Sequence, residues 1–166
     1  MHIWTITKWK ARYDKYNTRA GLRLRCDKDV DVEVKKACKD FCRWLRSEYY
    51  FPIRVPIYLK SSYRIHSIDG EYVYGTFFEP YDKLVEPYVR IATGDFHMLL
   101  EKWGYDNAIN TILQCIAHEL THYFQWINDL KLTEIGIERQ ASQYSRFIID
   151  EYLEVRRYSS IIYESD

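Results

Sequence analysis

The stretch His118-Glu119-Leu120-Thr121-His122 lies inside a segment of regular apolar periodicity, from about residue 107 to residue 128. The apolar residues that recur at helical spacing are Ile109, Ile112, Leu113, Ile116, Leu120, Phe124 and Ile127. This pattern predicts a long amphipathic helix with Asp106 as its N-cap. At about 100° per residue, His118 and His122 lie on the side opposite the apolar stripe. The helix can therefore pack one face on a sheet and present both imidazoles on the other.

Two histidines at positions i and i+4 of a helix can bind one zinc ion, and a catalytic zinc site needs a third protein ligand. Glu134 and Glu138 are the downstream candidates. At 1.5 Å per residue, His122 lies about 9 Å before a turn near Asn128. Glu138 lies about 7.5 Å into a helix that returns from Thr133. The similar depths favour Glu138 as the third ligand, and Glu134 stays the alternative.

The rest of the chain predicts helices and a small sheet around this segment. The predicted elements are a helix over about 30–50, strands over 53–59, 71–78 and 88–93, and a helix over about 134–156. Asp29 or Asp31 can cap the first helix, Pro52 stops it, and Pro56 predicts a bulge or a sheet edge. This order is that of an α+β domain. We expect a single domain over 1–166, in which residues 1–28 form an extended arm or a short strand.

The balance of charge bears on the class of partner. Lys plus Arg and Asp plus Glu each number 24, so the formal net charge is zero. This balance argues against a generally basic protein that binds nucleic acid, and we do not expect nucleic acid as a partner. Nucleic-acid binding would become a candidate function again if the structure clustered Arg12, Arg19, Arg23 and Arg25. Aromatic residues make up 17% of the chain, which suits a core or a groove that grips extended chains.

The N-terminal sequence and the hydropathy pattern predict a location. No apolar run reaches the roughly 20 residues that a membrane span needs. The first ten residues hold no continuous apolar stretch of the kind found in signal peptides. We therefore expect a cytoplasmic protein that does not interact with membranes, with its four cysteines as free thiols. The sequence indicates no oligomeric state.

The motif resembles a known class of metal-dependent peptidases. His118-Glu119-Leu120-Thr121-His122 followed by Glu138-Arg139-Gln140-Ala141 is similar to the gluzincin metallopeptidases, in which a glutamate on the next helix completes the metal site. Gly75-Thr76-Phe77-Phe78 and Tyr88-Val89-Arg90-Ile91-Ala92 resemble the edge and inner strands that precede the metal helix in compact members. Minigluzincins and ImmA/IrrE-like peptidases are the most similar shapes. SprT-like proteases typically use a histidine as third ligand, so Glu138 argues against them. The resemblance covers about residues 70–145.

The resemblance implies a compact zincin-like domain that hydrolyses peptide bonds with one Zn²⁺ per chain. His118, His122 and Glu138 would hold the ion, which lowers the pKa of its water and polarises the scissile carbonyl. Glu119 would take the proton of that water and pass it to the leaving amine. The substrate would be a peptide or protein. Its extended chain would add to the sheet edge at Gly75, Thr76, Phe77 and Phe78.

Further expectations concern Tyr144 and the N-terminal segment. Tyr144 follows Glu138 by six residues, and its hydroxyl would stabilise a tetrahedral oxyanion if it faced the zinc. The alternative is that Tyr144 joins the apolar stripe of its own helix. Terminal segments keep some similar enzymes latent, so residues 1–28 are a candidate latency segment, with the thiolate of Cys26 as a candidate zinc ligand.

Two other classes of function compete with a peptidase. One is a catalytically silent zincin that binds protein partners, although such a site usually lacks the glutamate that stands here as Glu119. The other is a nucleic-acid-associated protein whose aromatic groove stacks on bases. Manganese, cobalt or nickel could replace zinc in a site of this kind.

Overall fold

The computed structural model describes residues 2–6 and 19–163, and its fold is α+β, as predicted. In chain order it forms a 3-10 helix (Ile3–Thr5), β1 (Leu22–Cys26), α1 (Val32–Glu48), β2 (Val55–Lys60), β3 (Ile65–His66), β4 (Tyr72–Val73), β5 (Gly75–Phe78), β6 (Tyr88–Ala92), α2 (Phe96–Trp103), α3 (Tyr105–Ile127) and α4 (Glu134–Tyr163). The short strand expected within residues 1–28 is present as β1. Arg12 lies outside the described residues.

The helix ends predicted from the sequence agree with the structure for α1 and differ from it for α3 and α4. Asp31 caps α1, because its side chain accepts a hydrogen bond from the Glu33 N–H at 2.8 Å. The predicted cap of α3 is wrong: the helix begins earlier, after Gly104, whose φ of 82° few other residues adopt. Asp106 therefore lies in the first turn of α3, where its negative charge interacts favourably with the positive end of the helix dipole. The final helix, α4, runs past the predicted end and reaches Tyr163.

The main sheet has four strands in the order β1-β2-β6-β5. The first three are parallel, and β5 lies antiparallel to β6 at the edge. The strand predicted over 71–78 is divided, because β4 leaves the main sheet and pairs with β3 in a separate hairpin. The edge strand is therefore Gly75–Phe78 alone, the stretch proposed from the sequence as an edge.

Pro56 lies in an inner strand, so the predicted bulge or edge is wrong. The N–H of Val55 donates to the Gly21 carbonyl on the β1 side. Because backbone groups alternate along a strand, the nitrogen of Pro56 faces the opposite side, toward β6. There the ladder begins only at Ile57, so the missing N–H of the proline costs no hydrogen bond.

One face of the sheet carries the core. Its inward side chains pack with α1 and α3 in one buried cluster. The sheet residues in this cluster include Val55, Ile57, Leu59, Val89 and Ile91. Helix α3 also packs along α4, so α3 lies between the sheet and the last helix. Across residues 2–6 and 19–163, no helix has the length and apolar composition that crossing a bilayer requires.

The N-terminal residues pack behind α3, away from the open side of the sheet. Ile3 and Trp4 are each 2% exposed. The Trp4 indole N–H donates to Thr121 Oγ1 at 3.2 Å, and the Ile3 N–H donates to the Tyr144 hydroxyl at 3.1 Å. The segment therefore contacts both α3 and α4.

Candidate metal centre

Helix α3 presents two imidazoles one turn apart. The ring centroids of His118 and His122 lie 4.9 Å from each other. Glu138 of α4 faces them: its Oε2 lies 3.1 Å from Nε2 of His118, and its Oε1 lies 3.3 Å from Nε2 of His122. The three ligand atoms lie within 4.8 Å of one another, so this group could hold a metal ion.

The choice between the two glutamates follows from the loop between the helices. Helix α3 ends at Ile127 and α4 begins at Glu134, so a short connection returns the chain antiparallel. Glu134 is the first residue of α4, at the mouth of the turn, and among the described residues it is not part of the ligand group. The depth argument from the sequence thus selected the carboxylate that meets the histidines.

Gln125 fixes the orientation of His122, and sequence reasoning missed it. Its amide N–H groups donate to the Ile137 carbonyl at 3.0 Å and to Gln140 Oε1 at 2.9 Å. Gln125 Oε1, 2.8 Å from His122 Nδ1, must therefore accept a proton from that nitrogen. This assigns the tautomer and leaves the Nε2 lone pair free for a metal ion. The available signal was a polar residue three positions after His122 within an apolar turn.

Glu119 is buried beside the ligand group. It is 8% exposed, and burial, together with the nearby charge of Glu138, raises the pKa of its carboxyl to about 8. Burial of the His118 side chain lowers its pKa, and the neighbouring His122 lowers this pKa further. Glu138 acts in the opposite direction. The site therefore favours a neutral imidazole at His118, which is the form that binds metal.

Close approach of β5 holds Glu119 in place. A Cβ atom added at Gly75 would lie 3.1 Å from both Cγ and Oε1 of Glu119 and 3.0 Å from Cδ1 of Ile91. These distances are shorter than ordinary van der Waals contacts. The absent side chain at position 75 thus lets the edge strand cover the carboxyl group, which links the strand to the chemistry of the site.

A cleft of about 1330 Å³ runs past these residues. The four residues of β5 that were predicted to bind substrate, Gly75, Thr76, Phe77 and Phe78, all line it together with the two histidines, Glu119 and Glu138. Toward the end of α3 its wall includes the apolar residues Trp126, Leu130 and Ile137 together with the charged residues Asp129 and Lys131. Toward the start of α3 it is polar, with Gln114, Ser142 and Ser145. The cleft therefore has room for an extended chain on both sides of the ligand group.

Tyr144 lies on another side of α4. Its hydroxyl accepts the hydrogen bond from the Ile3 N–H, and its ring lies 5.0 Å from that of His2. It packs against the core cluster, which matches the alternative reading of this residue as part of an apolar stripe. The structure thus places Tyr144 behind the site, and no role in the chemistry is assigned to it.

The described part of the N-terminal region lies apart from the cleft. Cys26 ends β1, and β1 and β5 are opposite edges of the sheet. Residues 2–6 pack on the back of α3, as described above. Residues 7–18, on which part of the latency prediction rests, lie outside the described residues. The described residues therefore do not support Cys26 as a ligand at this site.

The other cysteines do not add a ligand. Cys38 and Cys42 are buried in the core, and burial raises the pKa of the Cys42 thiol to about 12. Cys115 lines the cleft and packs against the core, where burial and the charge of Glu119 raise its pKa to about 11. A thiol that stays protonated is a poor metal ligand.

Comparisons with known proteins add no family to this description. No family model matches the chain, and neither a curated protein nor a solved structure matches it. What stands on the structure is a site of two imidazoles and one carboxylate that could hold a metal ion, with a buried glutamate beside it.

Proposed function

We propose that the protein is a zinc-dependent peptidase of gluzincin type. The observation that supports this most is the convergence of His118, His122 and Glu138 at the foot of a cleft, with Glu119 buried next to them. A site with this composition and a free strand edge beside it has the parts that hydrolysis of an extended polypeptide requires.

The donor set fits zinc. Two imidazole nitrogens and one carboxylate oxygen are a common ligand set of catalytic zinc sites, which keep one further position open. Manganese, cobalt and nickel also accept such ligands. When bound, the ion supplies Lewis acidity to a carbonyl oxygen and to a water molecule. The hydrogen bond from His122 to Gln125 holds one imidazole in the orientation that this requires.

Glu119 would move the proton. Its carboxylate accepts a proton from the attacking water and gives it to the nitrogen of the leaving amine. Burial and the nearby Glu138 raise the pKa of this carboxyl to about 8, which makes its carboxylate a stronger base than that of an exposed glutamate. The backbone of β5 limits the positions that the carboxyl group can take and keeps it next to the ligand residues.

The edge strand would bind the substrate. Among the strands that the structure describes, β5 pairs with β6 only, so one row of its backbone N–H and C=O groups faces the cleft. An extended peptide or protein segment can add to this edge as a further antiparallel strand. The scissile bond would then lie across from Glu119, because Gly75 is the strand residue next to that carboxyl group.

Metal content and peptide cleavage test the proposal together. We expect about one zinc per chain in the wild-type protein and in Glu119→Gln, and none in His118→Ala. A peptide library should be cleaved by the wild type and left intact by Glu119→Gln. Zinc without cleavage of any peptide or protein would favour a silent zincin that binds partners. Absence of metal after zinc has been supplied would contradict the proposed site.

A further inference from the structure

The face of the main sheet opposite the helices has an unusual composition. Side chains alternate along each strand, and the core residues identify which ones point inward. The outward positions, here called the open sheet face, are Arg23, Arg25, Pro56, Tyr58, Lys60, Thr76, Phe78, Tyr88, Arg90 and Ala92. Four of these ten residues are cations, three are aromatic, and none is acidic. The chain has zero net charge, yet this one surface is basic and aromatic.

The strand register arranges these side chains in a row. Arg25 lies across from Tyr58, Tyr58 across from Arg90, and Arg90 across from Thr76. With strands about 4.8 Å apart, the Cα atoms of Arg25 and Arg90 lie about 10 Å from each other, on either side of Tyr58. Tyr58 is 37% exposed. A cation, a ring and a second cation thus follow one another across the sheet.

A second aromatic group continues the surface toward the edge strand. The rings of Phe78 and Tyr88 are stacked, with centroids 4.9 Å apart, and Tyr58 meets Tyr88 edge-on at 6.1 Å. The open sheet face adjoins the cleft at this edge, because the cleft is also lined by Phe78, Tyr88 and Arg90. The aromatic surface therefore reaches from the centre of the sheet to the strand that borders the metal site.

The four cations of this face differ in how free they are to meet a ligand. Lys60 pairs with Asp27 at 3.1 Å, and the guanidinium group of Arg90 donates to the His66 carbonyl at 3.4 Å. Arg23 and Arg25 are exposed and have no ion pair among the described residues. Arg23 and Arg25 thus carry positive charge without a counter-charge, which favours an anionic molecule at this end of the face.

We propose that the open sheet face binds single-stranded nucleic acid. Phosphate groups would meet the arginines, and unpaired bases would stack on the exposed ring of Tyr58 and on the Phe78–Tyr88 pair. A sheet that offers rings flanked by cations suits unstacked bases, which a duplex does not present. The proposal uses no residue of the metal centre, although Phe78 also belongs to the strand edge proposed to bind peptide.

Binding to a labelled oligonucleotide tests the proposal. Fluorescence anisotropy of a fluorescein-labelled 20-mer of oligo(dT) is measured with the wild-type protein from 50 to 200 mM salt. We expect binding that weakens as salt rises, and a tenfold or greater loss in Arg23→Glu/Arg25→Glu. The slope of log K against log salt should flatten by about 1.4 in that variant, since each phosphate contact on a single strand contributes about 0.7.

Two further variants separate a specific surface from general electrostatics. Lys36→Glu/Arg43→Glu makes the same change in net charge on the exposed side of α1, and its affinity should stay within twofold of the wild type. Tyr58→Ala keeps every charge and should weaken binding about fivefold or more through the lost stacking. Circular dichroism and zinc content confirm that each variant is folded.

Four results would overturn the proposal. They are no binding at 50 mM salt, equal losses in the two charge-reversal variants, wild-type affinity in Tyr58→Ala, and equal or tighter binding of a 20-base-pair duplex. The last two would indicate a general polyanion surface. Loss of cleavage in Glu119→Gln with unchanged oligonucleotide binding would show that the two sites are separate.

Discussion

The two helices that form the metal centre hold their ligands differently. On α3, the side chains of His118 and His122 are only 23% and 15% exposed, and the second imidazole has a fixed partner in Gln125. On α4, the carboxylate of Glu138 is 64% exposed and contacts the two histidines. The histidines are therefore preorganised by the fold, whereas Glu138 depends on how α4 packs along α3. The difference indicates that the imidazoles define the site and the carboxylate completes it.

The strongest test of this comparison is the pair Glu138→Gln and Glu134→Gln. Both changes remove one exposed carboxylate from the first part of α4, but only Glu138 meets the histidines. We expect zinc affinity to fall at least about 100-fold in Glu138→Gln, the upper end of the loss that changes outside the ligand set cause. Glu134→Gln should bind zinc as the wild type does. Competition with a chromophoric chelator measures both, and the reverse order would make Glu134 the ligand.

The support of His122 predicts the next largest effect. Gln125→Leu removes the acceptor at Nδ1 and keeps a side chain of similar volume, so zinc affinity should fall about 10- to 100-fold. The Ile137 carbonyl also loses its donor, which should cost about 1–3 kcal/mol of folding stability. Chelator competition and urea unfolding separate the two effects. Unchanged affinity in a destabilised protein would mean that Gln125 acts on helix packing alone.

The contact between β5 and Glu119 predicts an effect on catalysis without loss of metal. Gly75→Ala introduces a Cβ at 3.1 Å from the Glu119 carboxyl group, which must move. The shift needed is a few tenths of an ångström. Since a displacement of about 1 Å can lower the rate by roughly 100-fold, we expect kcat to fall by up to about tenfold with zinc content unchanged. Steady-state cleavage of a library-derived peptide measures this. The double variant with Glu119→Gln should fall no further than Glu119→Gln alone, and additive losses would contradict a shared mechanism.

The smallest expected effect concerns the back of α3. Trp4→Phe keeps an aromatic ring near Phe124, 4.9 Å away in the wild type, and removes the indole N–H that donates to Thr121. We expect a loss of about 1 kcal/mol in the free energy of unfolding of the metal-free protein. Urea titration measures it, and zinc affinity should stay unchanged. A large loss of zinc affinity would show that the N-terminal segment positions the ligands as well as stabilising the helices.

Local patterns predicted the parts of the site that lie on single elements. The spacing of His118, Glu119 and His122 fixes their common face on a helix, and the short loop before α4 made the depth of Glu138 calculable. Tyr144 shows the limit of counting along the chain. Six residues turn a helix by about 240°, so a residue six positions after Glu138 points away from it.

Features that depend on pairing between elements were not predictable from spacing. Gln125 is recognisable as a partner of His122 only once α4 brings the Ile137 carbonyl beside it. The tolerance of Pro56 within an inner strand depends on where the ladder with β6 begins. The basic face likewise needed the register of four strands, because Arg23 and Arg25 are at least 65 residues away from Arg90 along the chain.

The four residues of β5 serve two surfaces by alternation alone. Gly75 and Phe77 face α3, while Thr76 and Phe78 face the opposite side of the sheet. Substitutions at the even positions can therefore change one surface and leave the other intact. A deletion of one residue would exchange the two sets, placing Thr76 or Phe78 against Glu119 and turning Phe77 to solvent. Insertions and deletions in this short strand should thus be far less tolerated than any substitution. In a random library of insertions and deletions, functional variants with a change in β5 should be missing.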